Sequence, residues 1–429
     1  MRLFYHIPTF IILIIYFPAA LLGSYLYQNK FSTLIIILLV IFVFLYYMLL
    51  PLFSKFLQKF DQQAGFTRIR ARLNWRVLAW LAVIIYGVTM LVAALTVEHT
   101  PLGAALLGGS ELDIARARAE FLATRQGPEA LLRYSALIFG KTVMPFIVLY
   151  LFYRASHWKY LALCVLLCSY IITLEKSAAI FAFLPILLFF IIYKRWRSFF
   201  IHMLTLTLCI VIWTFLATGG LDKNIKNFYK KPTPTSSQLV KSDWPLFISG
   251  GSAADGYRIY FIRNLIENNI AINCIGNCAK SLAMINRITW IPYITAYDWL
   301  RFHDQILDGK MTYGQQIGIV SWLQGVPKLQ LEQMVYDFQL GQPQAGAGSA
   351  NTIFLVDAKL AFGWGGVIAY CVLFAFFAAI IFSSTNEVVK ISSITSFYTA
   401  ALSPLTATLL SGGLMFYILM AFFHRNESA

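Results

Sequence analysis

Residues 346–366 read GAGSANTIFLVDAKLAFGWGG, and they join a loop of small residues to a long apolar segment. Asn351, Asp357 and Lys359 lie near the start of that segment. Ionisable groups are costly in hydrocarbon, so in a membrane-spanning helix they normally face protein or a wet cavity and serve a function. The glycines that follow allow a backbone or a ligand to approach closely. The stretch therefore predicts a membrane span whose entrance is polar and functional.

The composition of the whole chain indicates an integral membrane protein. Of its 429 residues, 59% are hydrophobic and only 12% are charged, whereas a soluble domain carries about 25% charged residues. Several separate apolar runs approach the roughly 20 residues that a helix needs to cross a bilayer. The first run, residues 8–27, is too long for the apolar core of a signal peptide and has no small-residue cleavage pattern, so it is interpreted as a span. The predicted fold class is an all-α polytopic membrane protein.

Apolar runs predict ten spans, and a total of about 10–12 allows for one more pair. The ten are 8–27, 31–53, 76–96, 134–153, 160–174, 178–193, 198–217, 352–382 (its outer part irregular), 394–409 and 411–423. Basic residues cluster on alternate connections, at 55–76, 154–159 and 194–197. Because short cytoplasmic loops are enriched in Lys and Arg, both termini are predicted to be cytoplasmic.

This topology divides the chain into three parts. Residues 1–217 form an N-terminal bundle that includes an outer segment at 97–133. Residues 218–350 form a large outer loop between the seventh span and the C-terminal spans, which occupy residues 351–429. In the segment 97–133, Ser110 is a plausible helix start, and the Gly127-Pro128 pair ends the helix before the next span.

The formal net charge of +15 does not indicate nucleic acid, because the cations lie on the short connections and no soluble basic domain is present to hold a duplex. Membrane lipids and anionic lipid-linked substrates are the expected partners.

The chain has no Walker loop, no GxGxxG after a strand, no HExxH and no serine nucleophile elbow. The carboxylate pair Glu111 and Asp113 follows the third span and is a weak candidate for a metal site, so no metal and no cofactor is predicted. Cys274 and Cys278 permit a small disulfide in the outer loop or remain free thiols.

The large outer loop carries four arginines among aromatic residues: Arg258, Arg263, Arg287 and Arg301. A planar guanidinium binds phosphate oxygens bidentately, so such stretches suit a lipid pyrophosphate attached to a sugar. The alternative is that these arginines, with neighbouring Trp and Tyr, anchor the loop at the membrane surface.

Three features of the sequence resemble the bacterial oligosaccharide repeat-unit polymerases of the Wzy type. GSANT at 348–352, Asp357 and FGWGG at 362–366 follow the same order as in the segment after the large outer loop of those enzymes. The stretch RITWIPY at 287–293 is similar to their Arg and hydrophobic-Pro segment, and the turn Glu175-Lys176-Ser177 is similar to their short Lys-bearing turn. The resemblance covers most of the second half of the chain.

The resemblance implies a glycosyltransferase of the bacterial inner membrane. Such an enzyme joins undecaprenyl-pyrophosphate-linked oligosaccharide units on the periplasmic face. Its product is the polysaccharide of the O-antigen, which is part of lipopolysaccharide, or of the capsule. The resemblance also implies a chain-length regulator protein as a further partner. The pyrophosphate is expected to contact the four loop arginines, Lys176 and Asn351. The general base is expected to be His303, Asp298 or Asp357, since His suits proton transfer near neutral pH and the related O-antigen ligases are thought to use an outer-face His beside Arg. A solvated loop histidine is the alternative for His303.

Two other functions compete with polymerisation. An O-antigen ligase shares the topology and chemistry but transfers to lipid A–core. A flippase for the same lipid-linked units should show repeated halves with matched broken helices, whereas this chain concentrates charge in one loop. For Asp357, the sequence predicts a partner from an outer-loop Arg or from Lys176, with the carboxylate bordering a water-filled cavity. That pair is either catalytic or a structural lock between the loop and the bundle.

Overall fold

The computed structural model describes most of the chain outside one long gap in the predicted outer loop. The described ranges are 2–27, 30–63, 75–109, 111–123, 125, 127–175, 178–217, 289–340 and 349–423. Within them the chain is helical and contains no strand, which confirms the all-α fold class.

Ten α-helices precede the long gap: α1 Ile7–Tyr27, α2 Lys30–Gln63, α3 Trp75–Leu95, α4 Pro101–Leu106, α5 Glu111–Arg118, α6 Ala130–Ile138, α7 Met144–Tyr153, α8 Lys159–Thr173, α9 Ala178–Ile192 and α10 Trp196–Ala217. Eight follow it: α11 Ile291–Gln305, α12 Gly318–Leu323, α13 Leu331–Leu340, α14 Phe354–Ser383, α15 Glu387–Ser392, α16 Ile394–Leu402, α17 Leu405–Leu410 and α18 Leu414–Phe423. Short 3-10 helices lie at Arg2–His6 and Gly127–Glu129, and π-helical turns at Ala119–Ala123 and Phe139–Val143.

Six described helical stretches are long and apolar enough to cross a membrane, so the protein is polytopic. They are Phe4–Tyr25, Lys30–Lys59, Val77–Leu95, Leu131–Tyr153, Trp196–Trp213 and Phe354–Ser383. Helices α8 and α9 are also apolar but have only 15 residues each. The sequence-predicted helix start after position 110 and the helix end before Gly127 are both found, because α5 begins at Glu111 and Gly127 adopts a positive φ of 59°.

The C-terminal region differs from the sequence-predicted pair of long spans. The expected span 394–409 is interrupted after Leu402, and the chain resumes as α17 only at Leu405. The reason is Pro404, which has no N–H to donate and disfavours a helical residue before it. Gly413, with a φ of 76°, ends the following helix in the left-handed region.

The core of the fold surrounds α14. Helix α2 packs along α14, and the ring of Phe42 lies edge-on to Phe354 and Phe374 with centroid distances of 5.7 and 5.5 Å. Helix α1 packs on α16, where the buried hydroxyl of Tyr16 donates a hydrogen bond of 2.8 Å to the carbonyl of Ala401. The first of these contacts holds α14 against α2, and the second joins α1 to α16.

Helix α14 is broken near its start. Phe362 (φ −139°, ψ 18°) and Gly363 (φ 63°, ψ −149°) leave the helical region. The break separates residues 354–361, called the N-terminal arm below, from residues 364–383. At 1.5 Å per residue the second part is about 30 Å long, enough to cross the hydrocarbon alone. The arm folds back along the crossing helix, since the rings of Phe354 and Phe374 stack with a centroid distance of 4.9 Å although the break lies between them. Asp357 and Lys359 therefore lie beside the crossing helix, in the part of the span 352–382 that the sequence predicts to be irregular.

Candidate functional site

The break in α14 is stabilised by a distant turn of the chain. A helix end leaves carbonyl oxygens without intrahelical partners. Here the backbone N–H of Thr312 donates to the carbonyl of Leu360 at 3.1 Å, and the N–H of Tyr313 donates to the carbonyl of Ala361 at 2.9 Å. The turn that follows α11 thus caps the arm.

The glycines of FGWGG permit this geometry, as the sequence predicted for close backbone approach. A Cβ atom on Gly363 would lie 2.7 Å from Cε of Met311, and one on Gly366 would lie 2.5 Å from the carbonyl oxygen of Ala358. A side chain at either position would push the arm away from the capping turn or from the crossing helix. The position of the arm therefore requires glycine at these two positions.

Asp357 lies at the centre of the capped arm and is fully buried. Its Oδ1 accepts a hydrogen bond of 2.9 Å from Nε2 of Gln316, whose Oε1 accepts one of 3.0 Å from the hydroxyl of Thr312. Its Oδ2 is buried and has no hydrogen-bond partner among the described residues. Glu332 and Tyr370 are close enough to act on it electrostatically.

The partner of Asp357 differs in kind from the expected cation. It does come from the predicted outer loop, but it is the neutral amide of Gln316. An amide orients the carboxylate without neutralising it, and an unmade hydrogen bond at a buried acceptor costs about 1–3 kcal/mol. Oδ2 is therefore the atom of this carboxylate that is left to accept a hydrogen bond. Sequence reasoning missed Gln316, because nothing in its local sequence marks it as a partner 41 positions from Asp357.

The candidates on α11 face two directions. Asp298 is buried and its Oδ2 accepts a hydrogen bond of 3.0 Å from Nε2 of Gln339. Arg301, three residues on and so on the same face, lies with Cζ 5.2 Å from the ring centroid of Phe338. Both contacts are with α13. Asp298 and Arg301 thus take part in packing α11 against α13.

His303 faces the arm. Its Nε2 lies 3.1 Å from the carbonyl of Lys310, and since a carbonyl only accepts, Nε2 carries the hydrogen and Nδ1 is left as a proton acceptor. Burial lowers the pKa of His303; the hydrogen bond to Lys310 raises it, and the charge of Lys359 lowers it. The imidazole is therefore mainly neutral at pH 7, the form that a general base requires.

Lys359 supplies a cation beside His303. Its Nζ lies 4.3 Å from the ring centroid of Trp364, a cation–π contact across the break. Among the described residues no carboxylate lies within salt-bridge distance of it. An unneutralised cation at this place suits an anionic ligand. In the sequence Lys359 lies two positions after Asp357, but it was not among the predicted site residues.

The remaining sequence-predicted residues are distributed as follows. Asn351 is exposed just before the arm. Arg258, Arg263, Arg287 and Lys176, with Cys274 and Cys278, lie outside the described residues. Glu175, next to Lys176, pairs with Lys141 of the π-helical turn at 2.7 Å, a pair that the sequence did not reveal.

The described site thus combines a buried carboxylate with one free oxygen, a neutral imidazole and a cation on an aromatic face. Among the described residues no three His, Cys, Asp or Glu side chains converge as metal ligands. Comparison of this chain with models of protein families, with curated proteins and with solved structures gives no match.

Proposed function

We propose that this chain is a membrane glycosyltransferase that polymerises undecaprenyl-pyrophosphate-linked oligosaccharide repeat units for O-antigen or capsular polysaccharide. The observation that carries the proposal is the arm of α14, where Gln316 binds Oδ1 of the buried Asp357 and Oδ2 has no hydrogen-bond partner among the described residues. His303 and Lys359 lie at the same arm. Proton acceptors and a cation are the two kinds of group that glycosyl transfer from a lipid pyrophosphate requires.

In the proposed reaction, a hydroxyl of the incoming unit attacks the anomeric carbon of the growing chain. The bond between that carbon and the pyrophosphate oxygen breaks, and the hydroxyl proton passes to a protein base. Nδ1 of His303 and Oδ2 of Asp357 suit the base, and Asp298 is a weaker candidate because it is engaged with α13. The leaving pyrophosphate carries the bonding electron pair and is stabilised by cations.

The cations proposed for the pyrophosphate are Lys359 and the sequence-predicted set of Arg258, Arg263, Arg287, Arg301 and Lys176, with Asn351 as a polar contact. The proposed location is the bacterial inner membrane, with both termini cytoplasmic and residues 218–350 periplasmic. A chain-length regulator protein is the proposed protein partner. The alternating basic connections of the sequence support this orientation.

A transporter of the same lipid-linked units is the second candidate, and one observation favours it. Discontinuous helices with charged groups near the break are typical of transporter sites, and α14 has such a break. The O-antigen ligase shares the chemistry of the first proposal and differs in its acceptor.

Deletion of the gene distinguishes the three functions. Loss of a polymerase should leave surface lipid that carries a single repeat unit, because translocation and attachment continue. Loss of a ligase should leave long lipid-linked polymer unattached, and loss of a flippase should leave no repeat unit on the outer face. Gel separation of surface glycolipids, with a strain complemented by the intact gene as control, measures all three outcomes. Either of the last two patterns contradicts polymerisation.

A further inference from the structure

The short helix α12 exposes its apolar side chains and buries a polar one, the opposite of a helix on the surface of a soluble domain. Ile319, Trp322 and Leu323 are exposed to 71%, 78% and 71%, whereas Ser321 is only 3% exposed. The hydroxyl of Ser321 donates to the carbonyl of Gly318 and faces the protein. Contact of this apolar patch with water is unfavourable. A cluster of exposed apolar residues of this kind indicates a surface that contacts an apolar partner.

The apolar surface extends beyond α12. Met311 and Tyr313 in the capping turn are exposed to 44% and 59%. A Cβ on Gly314 of that turn would lie 3.0 Å from Phe362 and 3.4 Å from Val320, so the turn, α12 and the break of α14 are in contact. We call the exposed residues Met311, Tyr313, Ile319, Trp322 and Leu323 the ledge.

The ledge is continuous with the lipid-facing side of a membrane-spanning helix. Phe362, Trp364 and Ile368 of α14 are exposed to 38%, 43% and 51%, as expected for a helix surrounded by lipid. The hydrogen bonds from Thr312 and Tyr313 to Leu360 and Ala361 set the height of the ledge at the break. Because residues 364–383 cross the hydrocarbon, the break and the ledge lie at one end of that crossing.

The residues around the ledge match a membrane interface. Trp322, Trp364 and Tyr313 belong to the residue types that concentrate where hydrocarbon meets head groups. Lys310 and Lys328 flank the ledge and are exposed. Lysines at this level attract anionic lipid head groups.

We propose that the ledge is a lipid-binding surface: α12 lies in the plane of the bilayer interface, Ile319, Trp322 and Leu323 enter the acyl chains, and Lys310 and Lys328 contact lipid phosphates. The partner is therefore the bilayer leaflet itself, with a preference for anionic head groups. The ledge ties the capping turn to the membrane, and through it fixes the end of the arm at Leu360 and Ala361. Lipid binding at the ledge does not depend on whether the protein catalyses glycosyl transfer.

Photo-crosslinking tests the proposal on the full chain. A diazirine amino acid replaces Ile319, Trp322 or Leu323, one position at a time, in protein reconstituted into vesicles of phosphatidylethanolamine and phosphatidylglycerol. Gln330, which is exposed in the same region, is the control position. After illumination and digestion, mass spectrometry should find phospholipid adducts at the three ledge positions and water adducts at Gln330.

Lipid adducts at the ledge should be enriched in phosphatidylglycerol over the bulk ratio by about fivefold for each engaged lysine. The double variant Lys310→Gln, Lys328→Gln should lower this enrichment to the bulk ratio. Water adducts at all four positions would overturn the proposal. So would crosslinks from the ledge to residues 218–288 or to a second copy of the chain, because protein would then cover the surface.

Discussion

On the proposed function, replacement of Asp357 with asparagine should reduce polymer synthesis by at least about two orders of magnitude, the effect expected from the loss of a general base. Asparagine keeps the shape of the side chain and can still accept the hydrogen bond from Gln316. It lacks the basicity of a carboxylate, and it places an amide where Oδ2 now has no partner among the described residues. A purely structural Asp357 would leave substantial activity in this variant.

The matched control is Asp308→Asn. Asp308 is exposed, with a φ of 50° that asparagine tolerates well. This variant should form polymer at the normal rate, whereas Asp357→Asn should insert into the membrane at normal levels and form none of normal length. Both are measured as polymer ladders normalised to membrane protein content. Full-length polymer from Asp357→Ala would show that this carboxylate is neither a base nor a substrate contact.

Replacement of Gly363 with alanine should destabilise the protein by about 1–3 kcal/mol, because its φ of 63° and ψ of −149° belong to a region that is essentially restricted to glycine. The new Cβ would also lie 2.7 Å from Cε of Met311. We expect a lower Tm in detergent and a loss of activity, since the arm that carries Asp357 must shift.

Gly365→Ala is the control for that prediction. A Cβ at Gly365 meets nothing within 4 Å, and alanine favours a helix over glycine by up to about 1 kcal/mol. This variant should therefore keep or raise the Tm. The double variant Gly363→Ala, Met311→Ala should recover part of the loss, because it removes the steric contact but not the backbone strain. Equal Tm values for the single variants Gly363→Ala and Gly365→Ala would contradict the break in α14.

The sequence predicts the helices well where a local signal exists. Long apolar runs located the six spanning stretches, because hydrocarbon requires about 20 apolar residues in a row. The start of α5 also carries a local signal. The interruption at Pro404 was missed, since the apolar run continues on both sides of it and outweighed the proline.

The site was predicted in part. The polar residues before FGWGG did mark the important segment, and its glycines predicted close approach. The sequence predicts an irregular outer part of the span 352–382, and the break lies there, but the sequence could not place the break at Phe362 and Gly363, because its position depends on the capping bonds from Thr312 and Tyr313. For the same reason it could not pair Asp357 with Gln316, because such contacts follow no periodicity. Helix geometry places His303 and Arg301, two positions apart, on different faces of α11. Which of these two faces contacts the arm of α14 depends on tertiary packing and could not be predicted from the sequence.

The most direct test of the proposed function is synthesis by the purified chain. The protein is reconstituted into vesicles with one synthetic undecaprenyl-pyrophosphate-linked repeat unit, and the products are separated by size. We expect a ladder that grows by one repeat unit per step, with release of undecaprenyl pyrophosphate, and no ladder from the Asp357→Asn variant. Movement of the intact lipid-linked unit across the bilayer without any lengthening would contradict the account.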